Sequence, residues 1–227
     1  MNCASESTSS GEQLAGLAAY MPPALYGALS TLTQHVYAPK ADHSVRSLMV
    51  TATQPGSGVS YIASCLSTFV AETFGTSLLA DGQVLADLAT QGTLPLRAHC
   101  TPVKHSRLCV LGKTEAANLT AKTGVSRIVI PFLSRSSLRN GVGPRTVMNS
   151  ILRDFEYAVV DAPALSESKA AETLACAVDG IILVVVPHET DINAIAAARV
   201  NLTSKGGRFL GAIYNTSLAP SYPGLEL

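Results

Sequence analysis

The chain has 227 residues, 47% of them hydrophobic and 14% charged, with 16 Lys and Arg balanced by 16 Asp and Glu. That length and apolar content suffice for one α/β domain with a full core and exclude a disordered chain. The zero net charge gives no electrostatic basis for nucleic-acid binding and does not oppose self-association, so a homo-oligomer or a protein partner is expected. Five cysteines without a CxxC spacing read as reduced thiols of a cytosolic protein.

Taken in order, residues 1–11 are Ser-rich and polar and read as a disordered tail, with neither the basic start nor the apolar segment of a signal peptide. Residues 12–34 carry apolar residues at helical spacing, broken at Met21-Pro22-Pro23, which predicts a helix over Ala24–His35. After a loop at 38–43 the pattern alternates. Strands are predicted at Ser47–Thr51, Thr76–Ala80, Arg107–Leu111, Arg127–Pro131, Tyr157–Val160, Gly180–Val186 and Phe209–Tyr214. Helices are predicted at Gly58–Phe74, Gln83–Thr90, Thr114–Lys122, Pro144–Phe155, Glu167–Ala177 and Asp191–Ser204. Runs such as Ile181–Val186 suit parallel strands buried on both faces and are too short to span a bilayer. The expectation is a single α/β domain over 12–217, a doubly wound, mostly parallel sheet flanked by helices, with ligands at the C-terminal ends of the strands. Residues 218–227 form a C-terminal tail.

Four segments carry candidate chemistry. The first runs from Thr51 through Gln54, Pro55, Gly56, Ser57, Gly58, Val59, Ser60 and Tyr61. A strand enters a Gly-rich turn that opens a helix, the layout that cradles phosphates on backbone N–H groups. A working P-loop places Lys after the second of these glycines; Val59 stands there, and Ser60 keeps the hydroxyl. The second segment ends a buried strand at Asp161-Ala162-Pro163, where a Walker B carboxylate would hold the water shell of Mg²⁺. The third ends at Asp81-Gly82-Gln83; Asp81 either shares that metal with Ser60 and Asp161 or caps a turn. The fourth ends at Asn215, whose amide can pair with an adenine edge. His99, Cys100, His105 and Cys109 match no structural zinc spacing.

These segments, in this order, resemble the bacterial tyrosine kinases of capsule and exopolysaccharide export, within the MinD/ParA-like P-loop ATPases. The similarity covers roughly Ala24 to Ser217. It rests on the loop at 51–61, on Ala80-Asp81, on Tyr157–Pro163, on Val178–Val185 and on Gly211–Asn215. The scaffold motifs match and the catalytic ones do not. Val59 replaces the loop lysine, Tyr61 replaces a Thr, Gln83 replaces the second acid, and Gln54 stands where the MinD branch has its signature lysine. The helix at Ala24–Leu29 lacks the Glu and Arg of the family's ring contact, and the C-terminal tyrosine cluster is missing.

The resemblance implies ATP or ADP with Mg²⁺ as ligands, their binding weakened or lost through these departures. It also implies a partner in the cytoplasmic part of a membrane-anchored polysaccharide copolymerase or synthase. The departures imply a catalytically impaired, cytoplasmic pseudo-enzyme that regulates or scaffolds exopolysaccharide synthesis or export. An active, divergent ATPase or protein tyrosine kinase of the same family is one alternative; a MinD/ParA-type positioning protein is another.

Overall fold

A computed structural model describes residues 21–37, 45–91, 99–102, 108–112 and 143–216. The strand expected at Arg127–Pro131, the helix at Thr114–Lys122 and both tails lie outside the described residues.

Helix α1 (Pro23–Tyr37) precedes strand β1 (Ser47–Ala52), then α2 (Val59–Thr73), β2 (Ser77–Asp81) and α3 (Gly82–Gln91). Strands β3 (His99–Pro102) and β4 (Leu108–Gly112) come next, then α4 (Pro144–Asp154), β5 (Tyr157–Asp161) and the short α5 (Ala170–Leu174). Strand β6 (Gly180–Val185), α6 (Ile192–Ser204) and β7 (Phe209–Tyr214) complete the order. The expected elements within the described residues all form, within a few residues of their predicted ends. Two differences stand out. The helix predicted at Glu167–Ala177 is only five residues long: it starts late, after the Ser168 hydroxyl accepts from the Ala170 N–H, and it stops early, where the Ala177 N–H donates to the Leu174 carbonyl in a turn. Residues His99–Pro102, where no element is predicted, form an edge strand antiparallel to β4.

Among the described residues seven strands lie in the order β3-β4-β2-β5-β1-β6-β7, and every pairing except β3–β4 is parallel. From β1 the chain works outward through β2 and β4, returns to β5, then crosses to β6 and β7. That reversal beside β1 opens a crevice at the strand C-termini, where ligands of doubly wound sheets sit.

Alternation along the central strands builds a core on each face. Leu48 and Val50 of β1 join Ile182 and Val184 of β6 under Ile62, Leu66 and Val70 of α2, with Leu29 of α1 alongside. Met49, Ala158, Val160 and Ile181 point the other way, onto Leu85, Leu88, Met148, Ile151 and Leu174 of α3, α4 and α5. β1 and β6 are buried at all six of their positions, as their continuous apolar sequences require. A smaller group, Leu183, Val185 and Ala198, seats α6.

Candidate functional site

An open cleft of about 580 Å³ lies at the C-terminal ends of β1, β2 and β5, with residues 54–61 on one wall and Asp81, Gln83, Asp161–Ala164 and Glu167 on the other. The structure thus brings Gln54, Pro55, Gly56, Ser57, Gly58, Val59, Ser60, Tyr61, Asp81 and Asp161 to one place.

The turn works because of its glycines. Gly56 and Gly58 have φ of 78° and 85°, a region that side chains with a Cβ rarely enter. Gly58 is the N-cap of α2, so the helix opens at the cleft with its first N–H groups free for an anion. Ser57 Oγ donates to the Gln54 carbonyl at 2.8 Å and tightens the turn. The Asn215 amide donates to the Ser57 carbonyl at 3.0 Å, so this side chain braces the loop and does not line the cleft. Nothing in the sequence around Asn215 distinguishes that brace from an adenine contact.

The opposite wall is fastened to β1. Thr51 Oγ1 donates to the Pro163 carbonyl at 2.8 Å, and the N–H groups of Ala162, Leu165 and Ser166 donate to the carbonyls of Val50, Ala52 and Thr53. Asp81 and Asp161 stand opposite one another in the β2–β5 register. Their closeness needs Gly82, where an added Cβ would lie 2.8 Å from Ala162 Cα. Burial raises the Asp161 carboxyl above its ordinary value; a hydrogen bond with Ser60 pulls it back, and the Asp81 charge pushes it up further. Asp81 is engaged differently. Its Oδ1 accepts from the N–H of Gln83 at 2.8 Å and of Val84 at 3.1 Å, so it caps α3.

Two carboxylates beside a serine hydroxyl fit Mg²⁺, which keeps most of its waters and takes one or two protein oxygens plus phosphate. No lysine, arginine or histidine lines the cleft among the described residues. Val59 packs partly against the α2 core, so its position contributes hydrocarbon where a cation would stand. Arg46 donates to the carbonyls of Leu152, Phe155 and Glu156, and Arg145 donates to that of Cys176. Lys104 and Lys113 lie outside the described residues. Tyr61 belongs to the cleft wall and is 52% exposed, and its side chain hydrogen-bonds with Cys65 one turn along α2.

Two wall residues take parts that sequence reasoning misses. Gln83 donates to Asp87 at 2.8 Å and accepts from Ser168 Oγ at 2.6 Å, linking α3 to the start of α5. Glu167 adds a third carboxylate to the wall; a lone Glu ahead of a helix carries no signal of this.

No protein-family model matches the chain. In sequence it is similar to the putative tyrosine-protein kinase CapB of Staphylococcus aureus, 24% identical over 183 residues and 77% of each chain. It is also similar to the tyrosine-protein kinase CpsD of Streptococcus agalactiae, 23% identical over 174 residues and 74% of each. In fold it resembles the kinase domain of the Escherichia coli tyrosine kinase ETK, with a TM-score of 0.63, 15% identity and coverage of 91% of this chain and 82% of that one. The chimerical protein CapA2B2 gives a TM-score of 0.61 at 16% identity, over 90% and 89% of the two chains. In sequence the chain is thus similar to bacterial tyrosine-protein kinases, and it shares the fold of their kinase domains.

Proposed function

We propose that this chain is a catalytically impaired kinase-like protein that regulates or scaffolds exopolysaccharide synthesis or export, with a P-loop kept for binding and not for turnover. One observation carries the reading: the cleft has three carboxylates, a phosphate-type turn and no cation among the described residues. Phosphoryl transfer depends on positioning and on neutralising charge in the transition state, and losing one key stabilising group costs about 10²–10³ in rate. Ground-state binding is less sensitive. One hydrogen bond to a charged group is worth about 1.5–3 kcal/mol, while the backbone N–H groups at the start of α2 remain.

In this reading Ser60 and Asp161, with Asp81 behind them, hold Mg²⁺, and the metal supplies the positive charge that the phosphates need. The N–H groups of residues 56–60 cradle the phosphates, and Tyr61 borders the nucleotide. A partner in the cytoplasmic part of a membrane-anchored polysaccharide copolymerase or synthase rests on the resemblance to the export kinases. Among the described residues no helix is long and apolar enough to cross a membrane.

Calorimetric titration with ADP and a non-hydrolysable ATP analogue, with and without Mg²⁺, tests the site. Binding that requires Mg²⁺, together with no turnover, is the expected result. Val59→Lys should then tighten nucleotide binding about 10- to 100-fold and permit binding without the metal. Mg²⁺-dependent turnover by the native chain that is lost in Asp161→Ala would instead make it an active, divergent ATPase or kinase.

A further inference from the structure

We infer that Glu167 makes the cleft select metal-bound over metal-free nucleotide, and that the Gln83–Ser168 hydrogen bond positions it to do so, a role that rests on the nucleotide-binding reading of the cleft. Glu167 lies six residues beyond Asp161, on the wall opposite the phosphate turn. The stretch that carries it is tied down on both sides. Before it, the N–H groups of Leu165 and Ser166 donate to the carbonyls of Ala52 and Thr53, where the chain leaves β1. At Glu167 the backbone turns, because the N–H groups of Glu167 and Ser168 both donate to the Ala164 carbonyl, at 3.0 and 3.2 Å. After it, Ser168 Oγ donates to Gln83 Oε1 at 2.6 Å, and Gln83 Nε2 donates to Asp87 at 2.8 Å. Glu167 is exposed, yet its backbone has a set place beside the cleft.

The three carboxylates of this wall are not equivalent. Asp81 has one oxygen committed to the N–H groups of Gln83 and Val84. Asp161 is partly buried and hydrogen-bonded with Ser60. Glu167 alone has neither tie: among the described residues no group hydrogen-bonds or ion-pairs with its carboxylate.

One free negative charge in this place acts in two opposite directions. Metal-free nucleotide brings only negative phosphates, and the Glu167 charge repels them. Nucleotide carrying Mg²⁺ brings a cation that keeps most of its waters, and the same charge attracts it, directly or through those waters. The lysine of a working P-loop would reach the phosphates themselves; Val59 offers nothing in its place. One wall therefore lacks an attraction for bare phosphate, and the other adds a repulsion. Solvent screens an exposed carboxylate, so each effect is about two- to fivefold at low ionic strength and shrinks as salt is added.

Titration calorimetry of the full chain with ADP at low salt tests this, once with Mg²⁺ and once with a chelator. The chelator arm is run in the Val59→Lys background, where metal-free binding is strong enough to measure. Glu167→Gln should weaken ADP binding in Mg²⁺ about two- to fivefold and strengthen it in chelator by a similar factor. Ser168→Ala keeps the charge and releases its position, so both affinities should move the same way as in Glu167→Gln, by less. A merely structural Glu167 would shift both affinities in one direction or neither, and either result overturns its role. A Ser168→Ala chain with both affinities unchanged overturns the positioning by Gln83. No ADP binding by the native chain in Mg²⁺ overturns the nucleotide-binding reading, and this inference with it.

Discussion

Asp81 and Asp161 end neighbouring parallel strands and face each other in register, yet they do different work. Asp81 runs straight into α3, so two helix N–H groups take one of its oxygens. Asp161 runs into Ala162-Pro163 and a non-helical stretch up to Ser168, so no helix end is offered to it. Proline lacks an N–H and holds the residue before it extended. Asp161 keeps its carboxylate for the cleft, with the Ser60 hydroxyl beside it and with burial and the facing Asp81 charge working against its ionisation. The same residue type at the same strand position becomes a cap or a candidate ligand according to the backbone on its C-terminal side.

Three experiments break or sharpen this contrast. Asp161→Ala has the largest expected effect: the Mg²⁺-dependent part of nucleotide affinity should fall about 10- to 100-fold by calorimetry, while the fold melts no lower. Asp81→Ala should act mainly on stability. Losing an N-cap costs about 0.5–2 kcal/mol, and each kcal/mol lowers the melting temperature by about 2–4 °C in a chain of this size. If Asp81→Ala lost as much Mg²⁺-dependent affinity as Asp161→Ala, the division of labour would be wrong.

The smallest effect is on pH dependence. Because burial raises the Asp161 carboxyl in the folded state, the folded protein binds more protons than the unfolded one between the ordinary and the raised values. Its stability contribution is most favourable below that window and declines as pH rises through it. Asp161→Asn should flatten this decline in metal-free thermal melts; a slope that persists would place the burial cost elsewhere.

Much of the fold is legible in the sequence because the central strands are unbroken apolar runs. β1, β5 and β6 are buried on both faces, and a doubly wound sheet houses such strands between its helix layers. The loop is legible because Gly56 and Gly58 have φ values that favour glycine. β3 escapes because four residues, His-Cys-Thr-Pro, carry no period, and a proline is tolerated there only at a sheet edge. Sequence leaves the two roles of Asp81 balanced, since a cap and a metal ligand both come at the end of a strand; the distances to Gln83 and Val84 show that one of its oxygens serves as a cap. The bracing by Asn215 depends on a contact across 158 residues, beyond any local pattern.

The brace between Asn215 and Ser57 also orders events during synthesis. Ser57 is made early and Asn215 late, and β1 cannot take its place between β5 and β6 until both exist. On the ribosome the phosphate turn emerges well ahead of its brace and stands without it until β7 has been made and has paired with β6. A nascent chain therefore passes through a stage in which the turn exists and its brace does not.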